Sequence, residues 1–329
     1  VKVECLDRWE ALDAETWNGL LGRSASPVLF LTWQWQTNWW SAFGRDRQLR
    51  ILRVSDGSGQ PIGLLPLYAA PGSGAPLRIV GGVDVSDYLD LLAVRGREEE
   101  VWSALLQHRA AEPEAWDLHC LRATSPTVAL LQGLAPAAGL SVRVEREERC
   151  PVLTLPQSWE AYLERLSGKD RHELRRKVRR LWRELPGAVV RSSADPAELA
   201  AAMDAFLVLH RRSKAGKARF MDSRMEEFFR AVAGELARAG WLRLWRLDLG
   251  EAPLAACLCL EYAGSVALYN SGFDPDHGAL SPGIVLLAHV VKDAVERGLA
   301  RFDFLRGEEP YKYAFGATAE ELFNVVISP

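Results

Sequence analysis

One five-element pattern, a hairpin followed by strand, helix and strand, occurs twice along this chain, and it limits the available folds more than any other feature. In the first half, 49–54 alternates as a strand, 56–60 carries turn residues, and 61–68 returns. In the second half, 242–248, the turn 249–252 and the return 253–262 repeat that order, and both hairpins open on Leu-Arg-x-x-Arg. A strand at 88–94, a helix at 97–110 and a strand at 116–118 follow in the first half; 265–271, 282–297 and 302–304 follow in the second. Both final strands start with an aromatic residue and Asp (Trp116-Asp117, Phe302-Asp303) and soon reach Leu-Arg (Leu121-Arg122, Leu305-Arg306). A supersecondary unit used twice predicts an α/β (α+β) chain of two subdomains, each a mixed, mostly antiparallel sheet flanked by helices.

The length, 329 residues, suits two domains. A helical section separates the repeats, with caps predicted at Ser158, at Asp195-Pro196-x-Glu198 and at Ser223-x-x-Glu226, the last helix closing at Gly240. The boundary falls at 151–156, which gives domains 1–152 and 153–329, the second holding a basic helix at 169–185 and a core at 241–328. Hydrophobic residues at 48% and charged residues at 25% describe a soluble globular chain. A net charge of −3 argues against a polyanion binder as a whole, and no DNA partner is expected. No apolar run approaches the roughly 18–20 residues that span a bilayer, and Val1-Lys2-Val3-Glu4 has no signal-peptide character. The cysteines Cys5, Cys120, Cys150, Cys257 and Cys259 show no zinc spacing. They read as small buried residues in a reducing cytoplasm, and no metal is expected.

Two stretches between these elements carry unusual chemistry. "KDRHELRRKVRRLWREL", 169–185, places Leu174, Val178, Leu181 and Leu185 on one stripe, Arg175, Arg179 and Arg183 on a second, and Arg176 and Arg180 on a third. It is either a solvated helix docked by its leucines or a phosphate-binding surface, for a nucleotide-bearing donor, a transfer RNA or an anionic membrane. "YNSGFDPDHGALSPGIVLLAHVV", 269–291, runs from a strand through a turn-rich loop into a helix that Ser281 can cap with Pro282 in first position. It is either a plain connection or an anion site built on first-turn N–H groups, with Gly283 allowing close approach. Finally, "FDFLRGEEPYKYAFG", 302–316, passes from an apolar strand with a central Asp into a polar knot.

Together these stretches resemble the Gcn5-related N-acyltransferase (GNAT) superfamily, and in particular the CelD/BcsL-type acetyltransferases, relatives of the Fem aminoacyl transferases. The resemblance rests on "SGKDRHELRRKVRRL", "SGFDPDHGALSPGIVLL" and "RGLARFDFLRGEEPYKYAFGA", covers about 156–317, and extends to "TWQWQTNWWSAFG" and "GLLPLY" in the first half. It implies tandem GNAT-like subdomains and transfer of an acyl group from acetyl-CoA, or another acyl-CoA, to an amine or hydroxyl. The family's link to exopolysaccharide and cellulose production implies a small-molecule, sugar or lipid-linked acceptor. One departure is visible. The usual pyrophosphate loop, Gln/Arg-x-x-Gly-x-Gly/Ala, is replaced by His277-Gly278-x-x-x-Pro282-Gly283.

In such chemistry the nucleophile belongs to the acceptor, so the protein supplies positioning and charge stabilisation. Lys312 is expected to hold the carbonyl oxygen or a donor phosphate. Asp303 is a base, an acceptor anchor or a structural partner of Arg306, and Glu309 and Tyr311 orient the acceptor. Asn270, Gly272, His277, Gly278, Ser281, Gly283 and Arg306 are candidate donor contacts; Tyr269, Arg175 and Arg179 are candidate substrate contacts. Two rivals stay open: a Fem-type aminoacyl-tRNA-dependent transferase, and a non-catalytic binding protein that kept the fold.

Overall fold

A computed structural model describes residues 1–72, 74–109 and 114–329. In chain order the strands and helices are β1 (Lys2–Leu6), α1 (Ala14–Gly22), α2 (Trp33–Phe43), β2 (Gln48–Ser55), β3 (Pro61–Ala69), β4 (Leu77–Ile79), β5 (Leu92–Ala93), α3 (Glu98–Arg109), β6 (Trp116–Arg122), α4 (Thr127–Ala137) and β7 (Ser141–Thr154). There follow α5 (Trp159–Arg165), α6 (Gly168–Glu184), β8 (Ala188–Ser193), α7 (Pro196–Ser213), α8 (Ala215–Phe220), α9 (Ser223–Arg238), β9 (Leu242–Leu249), β10 (Ala252–Tyr262), β11 (Ser265–Phe273), α10 (Pro282–Glu296), β12 (Arg301–Asp303), α11 (Pro310–Ala314) and β13 (Thr318–Ser328). The chain forms two compact units, Val1–Arg149 with Glu320–Pro329, and Cys150–Ala319. The final strand pairs with β6 in the first unit, whereas the sequence reading ran the second domain to residue 329.

In the first unit β1, β2, β3 and β4 pair antiparallel in turn, and β4 meets β6 in parallel at Leu77↔Trp116. Helix α3 carries Glu98, Glu99 and Glu100 in its first turn and His108 and Arg109 in its last, which suits the helix dipole; residue 110, the expected last helical position, lies outside the described residues. The strand expected at 88–94 shrinks to β5, Leu92–Ala93, paired with β3. Its physical reason is that Val85 to Leu91 are buried throughout without being strand. The Leu89 N–H donates to the Cys120 carbonyl (3.1 Å), and the Asp90 carboxylate accepts from the Thr127 hydroxyl (2.6 Å). A continuous buried run reads as a strand from sequence, but these residues are packed by side-chain and loop contacts.

In the second unit β8, β9, β10 and β11 pair antiparallel, β11 and β12 run parallel, and β12 pairs antiparallel with the last residues of β7. The α6 stripe behaves as its spacing predicts: Leu174 and Leu181 are buried, Val178, Trp182 and Leu185 pack beside them, and α6 lies on α10. Capping agrees at Ser158, whose hydroxyl accepts from the Ala161 N–H, and at Asp195, which accepts from the Ala197 N–H. Two caps differ. Asp222, not Ser223, accepts from the Met225 N–H to start α9. Ser281 adopts φ 55° and ψ 48° and makes no side-chain cap. Gly272 is required by packing, since a Cβ there would collide with the backbone of Leu209 and His210 where α7 crosses β11. Cys120, Cys150, Cys257 and Cys259 are buried as expected, while Cys5 is exposed. Among the described residues no helix is long and apolar enough to cross a membrane.

Candidate active site

The parallel pair β11–β12 is short. Ser265↔Arg301, Val266↔Phe302 and Ala267↔Asp303 pair, after which β12 ends and β11 continues to Phe273. Just beyond the parting point the β10–β11 register shifts: Leu258 faces Asn270 but Cys259 faces Leu268, so Tyr269 is the extra residue of a bulge. Parallel strands that part beside a helix start leave a crevice at their carboxyl ends, the usual ligand position in open α/β sheets. Here the crevice is a cavity of about 280 Å³. Its walls are β11 (Leu268, Ser271 to Phe273), the start of α10 (Ser281 to Ile284), Lys214 and Lys217, and Glu309 and Tyr311.

The start of α10 is shaped by its backbone. The Ser281 carbonyl accepts from the N–H groups of Ile284 (3.1 Å) and Val285 (3.1 Å), and Pro282 has no N–H. That leaves Gly283, on the cavity wall, as the first-turn donor that the described residues do not occupy.

The polar knot after β12 is organised by Lys312. Its side chain is 4% exposed, and its ammonium donates to the carbonyls of Arg306 (2.7 Å) and Gly307 (3.0 Å) and pairs with Glu309 Oε2 (3.0 Å). A third carbonyl, Leu305, is 3.4 Å away. An ammonium has three protons, so Lys312 is occupied by its own loop, and it is not among the cavity-lining residues. The expectation that it holds a substrate carbonyl or phosphate gives way to a positioning role. Leu305 (φ 57°) and Gly307 (φ 101°) are left-handed, and the Lys312 clamp holds that sharp course.

Asp303 is likewise structural. It is buried, Oδ1 accepts from the Leu305 N–H (2.8 Å), and Oδ2 pairs with Arg301 (3.1 Å), its neighbour two residues back on the same face. Glu309 and Tyr311 do reach the cavity. Burial pushes the Glu309 carboxyl up, but the Lys312 hydrogen bond and charge outweigh it and leave the group below the usual range. Burial, then the charges of Glu309 and Cys257, raise the Tyr311 phenol well above its ordinary value, so it stays protonated. Among the described residues its hydroxyl has no hydrogen-bond partner. Tyr311 and Ile284 also line a second cavity of about 220 Å³, between α6, α10 and α11, where Asp170, Glu173 and Lys177 form the polar edge.

Of the candidate donor contacts, Gly272, Gly278, Ser281 and Gly283 line the main cavity; Asn270, His277 and Arg306 do not. Asn270 Oδ1 accepts from the Ser271 N–H (3.0 Å), and its side chain bonds the buried His210. His277 Nδ1 sits 2.8 Å from Asp274 Oδ2, and Asp274 also holds Arg212 (2.9 Å), so His277 braces the loop. Tyr269 stacks on Phe229, with ring centroids 5.3 Å apart. Arg175 and Arg179 are exposed on α6 and line neither cavity. Sequence reasoning missed Lys214, Lys217 and Cys257. The Lys217 ammonium donates to the Ser271 carbonyl; burial first, and the charge of Lys214 second, lower it to about 8. Burial pushes the Cys257 thiol up to about 12. The sequence signal was two lysines three apart at the start of the short helix α8. Among the described residues no group of three His, Cys, Asp or Glu is arranged to hold a metal.

Residues 168–313 match the acetyltransferase (GNAT) domain family, and the match lies inside the second unit. The solved structures similar to the whole chain include FemX, at 12% identity and a TM-score of 0.66, covering 98% of this chain and 96% of that one. A conserved protein of unknown function from Bacteroides thetaiotaomicron is similar at 12% identity and 0.64, covering both chains fully. So is L-PGS from Bacillus licheniformis, at 12% identity and 0.56, over 95% of this chain and 91% of that one. At these identities the likeness is one of fold. No curated protein matches the sequence. The chain has a GNAT-type acyltransferase fold of mixed sheet flanked by helices.

Proposed function

We propose that the second unit is an acyltransferase that takes an acyl group, acetyl in the simplest case, from a coenzyme A thioester and delivers it to an amine or hydroxyl. The observation that supports this is the cavity opened where β11 and β12 part, walled by the first turn of α10 and by Glu309 and Tyr311. The acceptor's nucleophile attacks the thioester carbon, the C–S bond breaks, the departing thiolate takes a proton from the protein, and the proton that the nucleophile sheds returns through water to the side chain that gave one up. Tyr311, protonated, unpartnered and on the cavity wall, is the side chain suited to donate that proton. Glu309 orients the acceptor, and Lys312 and Asp303 hold the loop that carries both groups. The CelD/BcsL-type likeness favours a sugar or lipid-linked acceptor and a cytoplasmic site of action, where acyl-CoA is made. Calorimetric titration with acetyl-CoA, followed by thiol release over a panel of amine and hydroxyl acceptors, tests the reading; a chain that does not bind the thioester rules it out.

A second reading, transfer from an aminoacyl-tRNA as in Fem-type enzymes, is favoured by one feature of α6. Arg176, Lys177, Arg180 and Arg183 pair with Glu173 or Glu184, but Arg171, Arg175 and Arg179, one helical turn apart, have no carboxylate partner among the described residues. That row suits a phosphodiester backbone. It requires RNA affinity that falls steeply with salt, and salt-independent or absent RNA binding removes it.

A further inference from the structure

We propose that Lys214 and Lys217 form a subsite for a phosphate-type anion in the main cavity, in place of the glycine-rich pyrophosphate loop that the sequence lacks. The inference rests on reading this cavity as the acyl-transfer site. Both lysines line it, Lys214 as the N-cap residue of α8 and Lys217 one turn further, and the charge of Lys214 acts on Lys217. Neither has a carboxylate partner among the described residues. The carboxylate on the cavity wall, Glu309, has its Oε2 on Lys312 at 3.0 Å, and Lys217 meets only the neutral Ser271 carbonyl. Like charges facing a partly desolvated space raise the free energy of the empty cavity, and an entering anion offsets that cost.

Burial first and the charge of Lys214 second lower the Lys217 ammonium, and the charge of Glu309 offsets part of that. The start of α10, with the Gly283 N–H, lines the same cavity and adds positive potential. A lysine ammonium binds phosphate as a compact point charge without demanding planar geometry, and two of them with a helix start suit a doubly charged group better than a single carboxylate. The anion comes either from the donor, whose coenzyme carries phosphates, or from a phosphorylated acceptor.

Three probes separate these sources in the full-length chain: inorganic pyrophosphate, acetyl-CoA, and S-acetylpantetheine, a thioester without phosphate. Lys217→Ala and Lys214→Ala are each expected to weaken pyrophosphate binding by about tenfold, the value of a lost charge-assisted contact, with Lys217→Arg restoring most of it. Thermal melts confirm that the variants are folded. If acetyl-CoA weakens alongside pyrophosphate while S-acetylpantetheine does not, the anion is the donor's. If both thioesters bind as in the wild type and only pyrophosphate weakens, the anion is the acceptor's. Pyrophosphate that binds wild type and variants alike, or fails to bind the wild type, overturns the subsite. A wild type that binds neither thioester defeats the acyl-transfer reading, while the pyrophosphate arm still decides this one.

Discussion

The two parallel junctions, β4–β6 and β11–β12, are built from the same repeat and end differently. Past the end of β4, the buried segment from Val85 to Leu92 fills the space beside β6, with the Leu89 N–H on the Cys120 carbonyl and Cys120 Sγ 3.5 Å from the Ser86 carbonyl. Past the end of β12 none of the described residues forms such a plug, and the cavity lies there. The Asp that both junctions share is structural in each. Asp117 accepts from Asn324 (2.8 Å), Arg78 (3.0 Å) and His119 (3.0 Å), as Asp303 accepts from Arg301 and the Leu305 N–H. What the repeats share holds the fold, and what only the second has, the 306–315 tail and the open crevice, is where the proposed chemistry falls.

Four changes break or sharpen that contrast. Lys312→Ala removes the clamp found only in the second unit and leaves buried carbonyls and Glu309 uncompensated. It should cost about 4 kcal/mol in urea unfolding, with activity falling in step with folded fraction; a stable but inactive variant would return Lys312 to the chemistry. Leu89→Ala hollows the plug of the first unit and should cost about 3 kcal/mol, while thioester affinity per folded molecule stays that of the wild type. Gly283→Leu fills the crevice instead. Its Cβ would meet Phe273 at an ordinary 3.6 Å, so the melting temperature should barely move while calorimetry shows acetyl-CoA binding down by about tenfold or more.

The smallest effect concerns pH. Hydrogen bonds from His119 to Asp117 and then Glu147 raise its imidazole from 6.5 to about 9. A raised folded pKa means the stabilisation is complete below about 6.5 and is lost as pH climbs through 9. His119→Gln should flatten the wild-type decline in urea midpoint across that window and leave thioester binding unchanged; an identical decline in the variant would place the titration elsewhere.

Much of this fold was readable because its signals are local. Alternation and turn residues mark both hairpins, and a 4-3-4 leucine stripe marks the buried face of α6. The first-unit plug was misread because burial on all sides erases the alternation that distinguishes a strand from a packed loop. Arg301 was overlooked as an Asp303 partner although strand alternation puts i and i+2 on one face. Glu309 and Tyr311 were found because they sit in an odd composition. Lys214 and Lys217 were not, since only the meeting of α8 with β11 makes two ordinary lysines unusual.

The Lys312 clamp has a thermodynamic consequence for recognition. Because its ammonium already ties the carbonyls of Arg306 and Gly307 to Glu309, the wall that bears Tyr311 is ordered before any ligand arrives. Association then spends little on chain entropy. Its heat-capacity change should be the modest negative value of apolar surface leaving water, without the larger one that accompanies a segment folding around its ligand.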